Sequence, residues 1–505
     1  MTARPAAEDK TRQLPQVNGT SGDSGAADAQ EVKSPAQPGP VPQETVPMPI
    51  PAWPVVEAVD EAPSKPPPLR GTEKERYSPS PGPGSTTRQP WLAQRTGLLT
   101  SELRRALPPW ALPLLDSQPV SVWLGARIAI TVLAFVAGLM LPGLDPKGTA
   151  NWYGSPGGPI LTGVVDRLGG VWTRWDGQWY LKIATEGYHR DDGSAAFFPL
   201  YPWLVSGTGW LAAERYIWAG ILLSSLFFLA ALILLHRLVR LDFHPADAGR
   251  TTFYLAAFPM AFFFWAVYSE SLFLFLSVGA LLAARTQRWW WAATCIALAI
   301  WTRTTGLLLL LPLGWEVWKA YHPDIPTNPN AMPPARPHRL TPYAFILPIF
   351  ALVLLLGWSW INFGNPLASL SAQTEWNRHF SWPWQTIVSA FQAATTMPFR
   401  FQPEDQSWTY LGALLLALVL GALSIRWLRG SYSLYLWAGI IFPLFSATPH
   451  NPLLSYPRFL AVLFPAFIVL ALIGRNRYAH QIILWTSLLL LGLYTIRFAN
   501  WYWVA

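Results

Sequence analysis

Asp176 is the first residue of this chain whose type and setting suit acid–base chemistry. It lies in the run Arg-Trp-Asp-Gly-Gln-Trp-Tyr, within a stretch where apolar residues recur at helical spacing. This spacing predicts a Trp-rich amphipathic helix over about 168–186 at the lipid headgroups, with Gly187 as its stop. A carboxylate at a membrane surface can accept the proton of a substrate hydroxyl. The competing interpretation is a surface charge paired with Arg174 or Lys182.

Five further clusters of polar and aromatic residues follow along the chain. They occupy 197–202 (Phe-Phe-Pro-Leu-Tyr-Pro), 268–273 (Tyr-Ser-Glu-Ser-Leu-Phe), 302–306 (Thr-Arg-Thr-Thr-Gly), 363–377 and 455–460 (Ser-Tyr-Pro-Arg-Phe-Leu). Arg303 and Arg458 are functional candidates, because an arginine inside or beside an apolar span is costly. For Arg458 the alternative is a side chain that snorkels to the membrane interface.

The composition points to a membrane protein. The chain has 505 residues, of which 52% are hydrophobic and only 13% are charged. This excludes a disulfide-stapled scaffold, a coiled coil and a typical cytosolic enzyme, and it predicts an all-α polytopic membrane protein. We attribute the net charge of +8 to cytoplasmic arginines rather than to nucleic-acid binding. Phosphate-cradling, dinucleotide and HExxH motifs are absent from the sequence, which disfavours a nucleotide-dependent enzyme of the soluble type, and no cofactor is expected. Asp191-Asp192 resembles a metal-binding pair, but we interpret it as part of a solvated loop, so no metal site is assigned.

Hydropathy predicts about eleven transmembrane helices. They fall at roughly 121–141, 216–236, 251–267, 270–285, 290–303, 305–318, 341–361, 408–426, 433–447, 458–474 and 480–497. Arg-rich connectors alternate with those that hold the polar clusters, so the positive-inside rule places the clusters on the non-cytoplasmic face. This topology requires that Pro199–Ala213 does not cross the bilayer, and its prolines favour an interfacial or re-entrant segment.

The chain divides into two predicted parts. Residues 1–115 form a disordered, Pro-rich cytoplasmic tail, because most of this stretch has too few large apolar residues to offset its ordering entropy. Residues 116–505 form the transmembrane domain, in which the outer loop 143–198 carries Asp176. The expected localisation is therefore the cell membrane, multi-pass, with the active site outside.

Together the clusters resemble a known family. Trp175-Asp176 through Gly187-Tyr188, the blocks at 197–202 and 268–273, and the pair Arg303–Gly306 resemble the class V glycosylphosphatidylinositol mannosyltransferases and their bacterial relatives. These enzymes belong to the GT-C superfamily of polytopic glycosyltransferases. The resemblance implies a GT-C-like bundle whose first outer loop carries amphipathic helices.

The resemblance also implies a reaction. A mannosyl residue would pass from a polyprenyl-phosphate-linked donor to a glycan or glycolipid acceptor, beside membrane lipid, with Asp176 as the general base. The leaving phosphate needs cations, and Arg303 and Arg458 are the candidates.

Four further residues are predicted to bind substrate: Trp175, Glu270, Glu375 and Trp376. Glu270 has three open roles: it binds acceptor hydroxyls, pairs with Arg303, or is a plain turn carboxylate. The loop with Glu375 and Trp376 suits sugar binding and also suits an aromatic interface belt.

The alternative function is a polytopic transporter or lipid flippase. A transporter typically places ionisable residues near the bilayer midplane and shows repeated halves. Here the polar clusters are predicted to share one face, which favours the enzyme.

Overall fold

The computed structural model describes residues 117–140, 168–190, 192–322, 341–396, 407–449 and 451–504. Of these residues, 79% are helical, which agrees with the all-α prediction. The predicted tail and the first part of the outer loop, up to residue 167, lie outside the described residues.

The α-helices in chain order are Gln118–Met140, Asp176–Glu186, Leu200–Leu211, Tyr216–Val239, Pro245–Ala256, Glu270–Arg285, Trp289–Ile300, Leu310–Tyr321, Ile346–Phe363, Ala368–Ser371, Pro383–Thr396, Ser407–Trp427, Gly430–Ile441, Tyr456–Ala461, Phe464–Ile473 and Arg477–Ala499. Short 3-10 helices are Val171–Thr173, Ser194–Ala196, Ala261–Phe264, Thr304–Leu309, Thr341–Phe345, Ala372–Trp376 and Phe442–Phe445. Two antiparallel strands, His379–Phe380 and Ser446–Ala447, pair His379 with Ala447.

Five of the described segments are long and apolar enough to cross a membrane. They are Gln118–Gly138, Tyr216–Val239, Thr341–Phe363, Ser407–Trp427 and Arg477–Ala499. Much of their surface is exposed and apolar, as lipid contact requires. Shorter apolar segments are Trp289–Ile300, Gly430–Phe445 and Phe464–Ile473. The structure therefore supports a multi-pass membrane protein, and the count of about eleven spans stays a prediction.

The predicted helix at 251–267 is not continuous. Helix Pro245–Ala256 ends before Pro259, because proline donates no backbone hydrogen bond and disfavours a helical conformation in the residue before it. The chain then forms the 3-10 helix Ala261–Phe264, and the side chains from Phe262 to Val267 are almost fully buried. This irregular segment lies inside the protein, where it packs beneath the outer loop.

The predicted amphipathic helix over 168–186 is interrupted. Trp175 adopts φ 55° and ψ −121°, and a new helix begins at Asp176. The carbonyl of Trp172 accepts a hydrogen bond from the Val267 amide at 2.9 Å, which ties the backbone to the buried segment instead of to a helical turn. Gly187 does end the helix, with φ 86° and its amide donating to the Ile183 carbonyl.

Two other regions agree with the sequence-based predictions more closely. Helix Leu200–Leu211 has 12 residues, too few for the roughly 20 needed to cross a bilayer, which fits the non-crossing segment expected there. The region 290–318 consists of two helices with a break at Thr302–Arg303 rather than one long helix. Helix Glu270–Arg285 packs closely against both Tyr216–Val239 and Trp289–Ile300.

The Arg-rich connectors also meet one another. Arg285 hydrogen-bonds Asp242 and the hydroxyl of Tyr432, and Arg429 donates to Glu316 at 2.7 Å. Arg475 donates to Asp247 at 2.8 Å. Residues from distant Arg-rich connectors therefore contact one another, as connectors on a common face would.

Gly306 permits the break that places Arg303. A Cβ at this position would collide with the backbone carbonyl group of Ala299. We expect Gly306→Ala to destabilise the protein by about 1–3 kcal/mol through overpacking, because backbone atoms cannot move aside as a flexible side chain can. The measurement is the thermal unfolding temperature and the monodisperse yield in detergent.

The matched control is Gly357→Ala, since a Cβ at Gly357 has no neighbour within 4 Å. At this helical position the unfolding temperature should stay at the wild-type value or rise slightly, because alanine favours a helix more than glycine does. Equal stability of both variants would show that the close approach at Gly306 does not matter.

Candidate functional site

A cavity of about 370 Å³ collects residues from connectors that are far apart in the sequence. Its lining includes Asp176, Tyr180, Phe197, Phe198, Thr302, Arg303, Thr304, Thr305, Gln373, Arg378, Phe445, Ser446, Leu454, Ser455, Arg458, Phe459 and Trp503. The clusters at 174–180, 197–202, 302–306 and 455–460 all contribute to it. The structure thus brings together residues that the sequence placed in separate connectors.

Arg458 is the centre of an ionic chain beside this cavity. Its Nη1 lies 2.5 Å from Asp176 Oδ2, and its Nε lies 2.5 Å from Glu270 Oε1. Arg303 Nη1 reaches the same Oε1 at 2.5 Å. Glu270 is fully buried and Arg458 nearly so, so two guanidinium groups compensate two carboxylates in a low-dielectric setting.

Asp176 occupies the first position of its helix. The unusual backbone of Trp175 turns the chain so that the helix begins at the cavity, where the helix N-terminus also favours a negative charge. Its Oδ2 takes the ion pair with Arg458, while Oδ1 has no hydrogen-bond partner among the described residues. One carboxylate oxygen is therefore available to a substrate hydroxyl.

Aromatic residues hold the ionic chain in place. The Arg458 guanidinium lies 4.8 Å from the Tyr268 ring centre and 5.1 Å from that of Phe263, which are cation–π distances. The Tyr268 hydroxyl donates to the Arg174 carbonyl at 2.8 Å. These contacts join the buried segment near Tyr268 to the turn before Asp176, so they fix the carboxylate relative to Arg458.

A smaller, mainly apolar cavity of about 90 Å³ adjoins the charged one. The two share Phe197, Phe198, Thr304 and Leu370, and the smaller cavity is otherwise lined by residues such as Leu352, Leu355, Leu356 and Trp358. A chamber that combines charged and aromatic side chains, joined to an apolar annex, is complementary to an amphiphile that has a charged head and a hydrocarbon chain.

The predicted binding residues fall in different places. Arg303 and Arg458 line the cavity, whereas Glu270 lies behind them and holds both arginines. Trp175 packs edge-on against Trp501 and Trp503. Glu375 and Trp376 belong to the 3-10 helix Ala372–Trp376, and their side chains lie outside the described part.

Sequence reasoning missed several contributors to the cavity, among them Arg378 and Trp503. Arg378 follows directly after Glu375-Trp376-Asn377 and lines the cavity. Its position next to a cluster that the sequence had singled out is the signal that could have identified it. Trp503 comes from the C-terminal segment, and no pattern in the sequence pointed to it.

Asp192 lies on the same outer loop but is engaged elsewhere. Burial acts to raise the pKa of Asp192, but hydrogen bonds from Ser194 and Lys182 outweigh it and lower the pKa below its usual value. Lys182 Nζ lies 2.9 Å from its Oδ2, so this carboxylate forms a local ion pair instead of facing the cavity.

Two solved structures resemble the fold at a distance. A crystal structure of the Archaeoglobus fulgidus oligosaccharyltransferase in the apo form has 13% identity and a TM-score of 0.34, covering 74% of this chain and 55% of that one. The same organism's oligosaccharyltransferase AglB, in complex with an inhibitory peptide and a dolichol-phosphate, gives 13% identity and a TM-score of 0.33, with the same coverage.

Sequence comparison is more informative. GPI alpha-1,6-mannosyltransferase 2 from Rattus norvegicus is 32% identical over 192 residues, which is 36% of this chain and 39% of the relative. GPI mannosyltransferase 2 from Drosophila melanogaster is 25% identical over 210 residues, 37% of this chain and 45% of the relative. The matches thus span about two fifths of the length of these relatives. The family model Mannosyltransferase (PIG-V) matches residues 155–325, which include Asp176, Glu270 and Arg303. Over this region the chain is similar to the Mannosyltransferase (PIG-V) family.

Proposed function

We propose that this chain is an integral-membrane mannosyltransferase that uses a polyprenyl-phosphate-linked donor. The observation that carries the proposal is the Asp176 carboxylate, paired with Arg458 through one oxygen and open through the other, in a cavity with an apolar annex. The names of the relatives support the mannosyl group. The annex supports a donor with a hydrocarbon chain rather than a nucleotide.

The proposed reaction is a single displacement. Asp176 accepts the proton of an acceptor hydroxyl, and the acceptor oxygen forms a bond to the anomeric carbon of the mannosyl group. The bond from that carbon to the phosphate oxygen breaks, and its electron pair leaves with the polyprenyl phosphate. Cationic side chains around the cavity stabilise the charge on this leaving group. The anomeric configuration inverts.

The proposed orientation places the cavity on the non-cytoplasmic face. The Arg-rich connectors that meet through Asp242, Glu316 and Asp247 would then face the cytoplasm, as the positive-inside rule expects. The acceptor is a glycan or glycolipid that reaches the membrane surface.

The test is a transfer assay with the full-length chain in lipid nanodiscs. The donor is polyprenyl phosphate that carries radiolabelled mannose. A glycolipid extract from the cells that produce the protein supplies the acceptors. We expect label to move to a glycolipid or glycan product whose anomeric configuration is opposite to that of the donor. GDP-mannose supplied alone should give no product.

Two outcomes would contradict the proposal. Transfer directly from GDP-mannose would exclude a lipid-linked donor. Movement of labelled donor across the bilayer with no covalent transfer would favour the transporter or flippase.

A further inference from the structure

Arg378 lies on a backbone segment that is held from two sides. Its amide donates to the Gln373 carbonyl at 3.1 Å, and the residues that follow form the strand His379–Phe380. This strand pairs with Ser446–Ala447, and the Ser381 amide donates to the Phe445 carbonyl at 3.1 Å. These hydrogen bonds hold the backbone on both sides of Arg378 against the segment 445–447, part of which lines the cavity. The backbone position of Arg378 is therefore fixed by the fold.

The Arg378 side chain lines the cavity without a carboxylate partner among the described residues. Its Nη2 reaches only the Leu454 carbonyl, at 3.4 Å, and its guanidinium lies 5.7 Å from the Phe459 ring centre. Burial lowers the pKa of Arg378, while the negative charge of Asp176 opposes that shift. Arg303 and Arg458 differ in this respect, because both are bound to carboxylates.

Among the side chains that the structure describes, the charges around the cavity do not balance. Two carboxylates, Asp176 and Glu270, face three guanidinium groups, Arg303, Arg458 and Arg378. A partly buried cation without a counter-ion is costly, and an anion bound beside it would remove that cost. An arginine is well suited to a phosphate, because its planar fork can donate two parallel hydrogen bonds.

We propose that Arg378 binds the phosphate group of the polyprenyl-phosphate donor and of the leaving product. This inference rests on the proposed function and deepens it. In this arrangement Arg303 and Arg458 hold Glu270 and Asp176 in position through ion pairs. The guanidinium group of Arg378 binds the phosphate of the ligand. The hydrocarbon chain extends from the phosphate toward the apolar annex.

The test measures binding of tritiated polyprenyl phosphate, of the uncharged polyprenol and of inorganic phosphate to the full-length chain in nanodiscs. Wild type should bind polyprenyl phosphate more tightly than polyprenol. Arg378→Gln should weaken binding of polyprenyl phosphate by about 10- to 100-fold, as loss of a charged hydrogen bond predicts, and leave polyprenol binding unchanged. Arg378→Lys should retain part of the affinity, because it keeps the charge and loses the fork.

The matched control is Arg215→Gln, an exposed arginine that does not line the cavity. It should bind all three ligands as wild type does. In the transfer assay, Arg378→Gln should raise the KM for the donor much more than it lowers kcat, and it should weaken product inhibition by polyprenyl phosphate.

The outcomes separate this inference from the proposed function. If wild type prefers polyprenyl phosphate and Arg378→Gln binds it equally well, Arg378 is not the phosphate ligand, although the donor class stands. If wild type does not distinguish polyprenyl phosphate from polyprenol, the donor class itself fails. If Arg378→Gln weakened the binding of polyprenyl phosphate and of polyprenol equally, the effect would not depend on the phosphate, and the assignment would also be overturned.

Discussion

Asp176→Asn is expected to lower the rate of mannosyl transfer by about 100- to 10,000-fold, the range that a general base contributes. Asparagine keeps the shape of the side chain and can still accept a hydrogen bond from Arg458, so the ionic chain keeps one of its contacts. It cannot take a proton from the acceptor hydroxyl. The variant should therefore fold and bind donor while it loses turnover, as measured by single-turnover transfer from radiolabelled donor.

Glu186→Gln provides the matched control. Glu186 lies at the other end of the same helix, exposed, and it does not line the cavity. Its replacement should leave the transfer rate unchanged. Transfer by Asp176→Asn at the rate of this control would exclude Asp176 as the base.

Glu270→Gln is expected to reduce both stability and activity. The Glu270 carboxylate is fully buried and accepts hydrogen bonds from Arg303 and Arg458 through a single oxygen. Removing its charge leaves the buried guanidinium group of Arg458 and the partly buried one of Arg303 with only Asp176 to compensate them, which costs about 3–5 kcal/mol. We expect a lower thermal unfolding temperature and strongly reduced transfer per folded molecule, because Arg458 no longer holds Asp176 in one position.

Glu316→Gln separates these two effects. Glu316 is also a buried glutamate, paired with Arg429 and hydrogen-bonded by Ser431, but it does not line the cavity. Its loss should lower the unfolding temperature while the transfer rate of the folded fraction is retained. If Glu270→Gln likewise kept its rate per folded molecule, the ionic chain would be structural only.

The placement of the helices was partly readable from the sequence. Tyr216–Val239 and Ser407–Trp427 lie within a few residues of their predicted limits, because a long apolar run has few alternatives to a helix in lipid. The segment at 251–267 is not the single continuous helix that its hydropathy predicts, and most of its apolar side chains pack inside the protein instead of facing lipid. Hydropathy alone does not distinguish these two environments.

The sequence by itself determined that this is a helical, multi-pass membrane protein and singled out Asp176, Glu270, Arg303 and Arg458 as charged residues in conspicuous settings. Only the tertiary structure decided their partners. Arg458 meets Asp176 across 282 positions of the chain and Glu270 across 188. Arg378 lines the same cavity next to the strand pair His379–Phe380 and Ser446–Ala447. Periodicity and composition describe neighbours along a helix, whereas ion pairs between distant connectors depend on how the helices pack, and that packing leaves Arg378 without a carboxylate among the described residues.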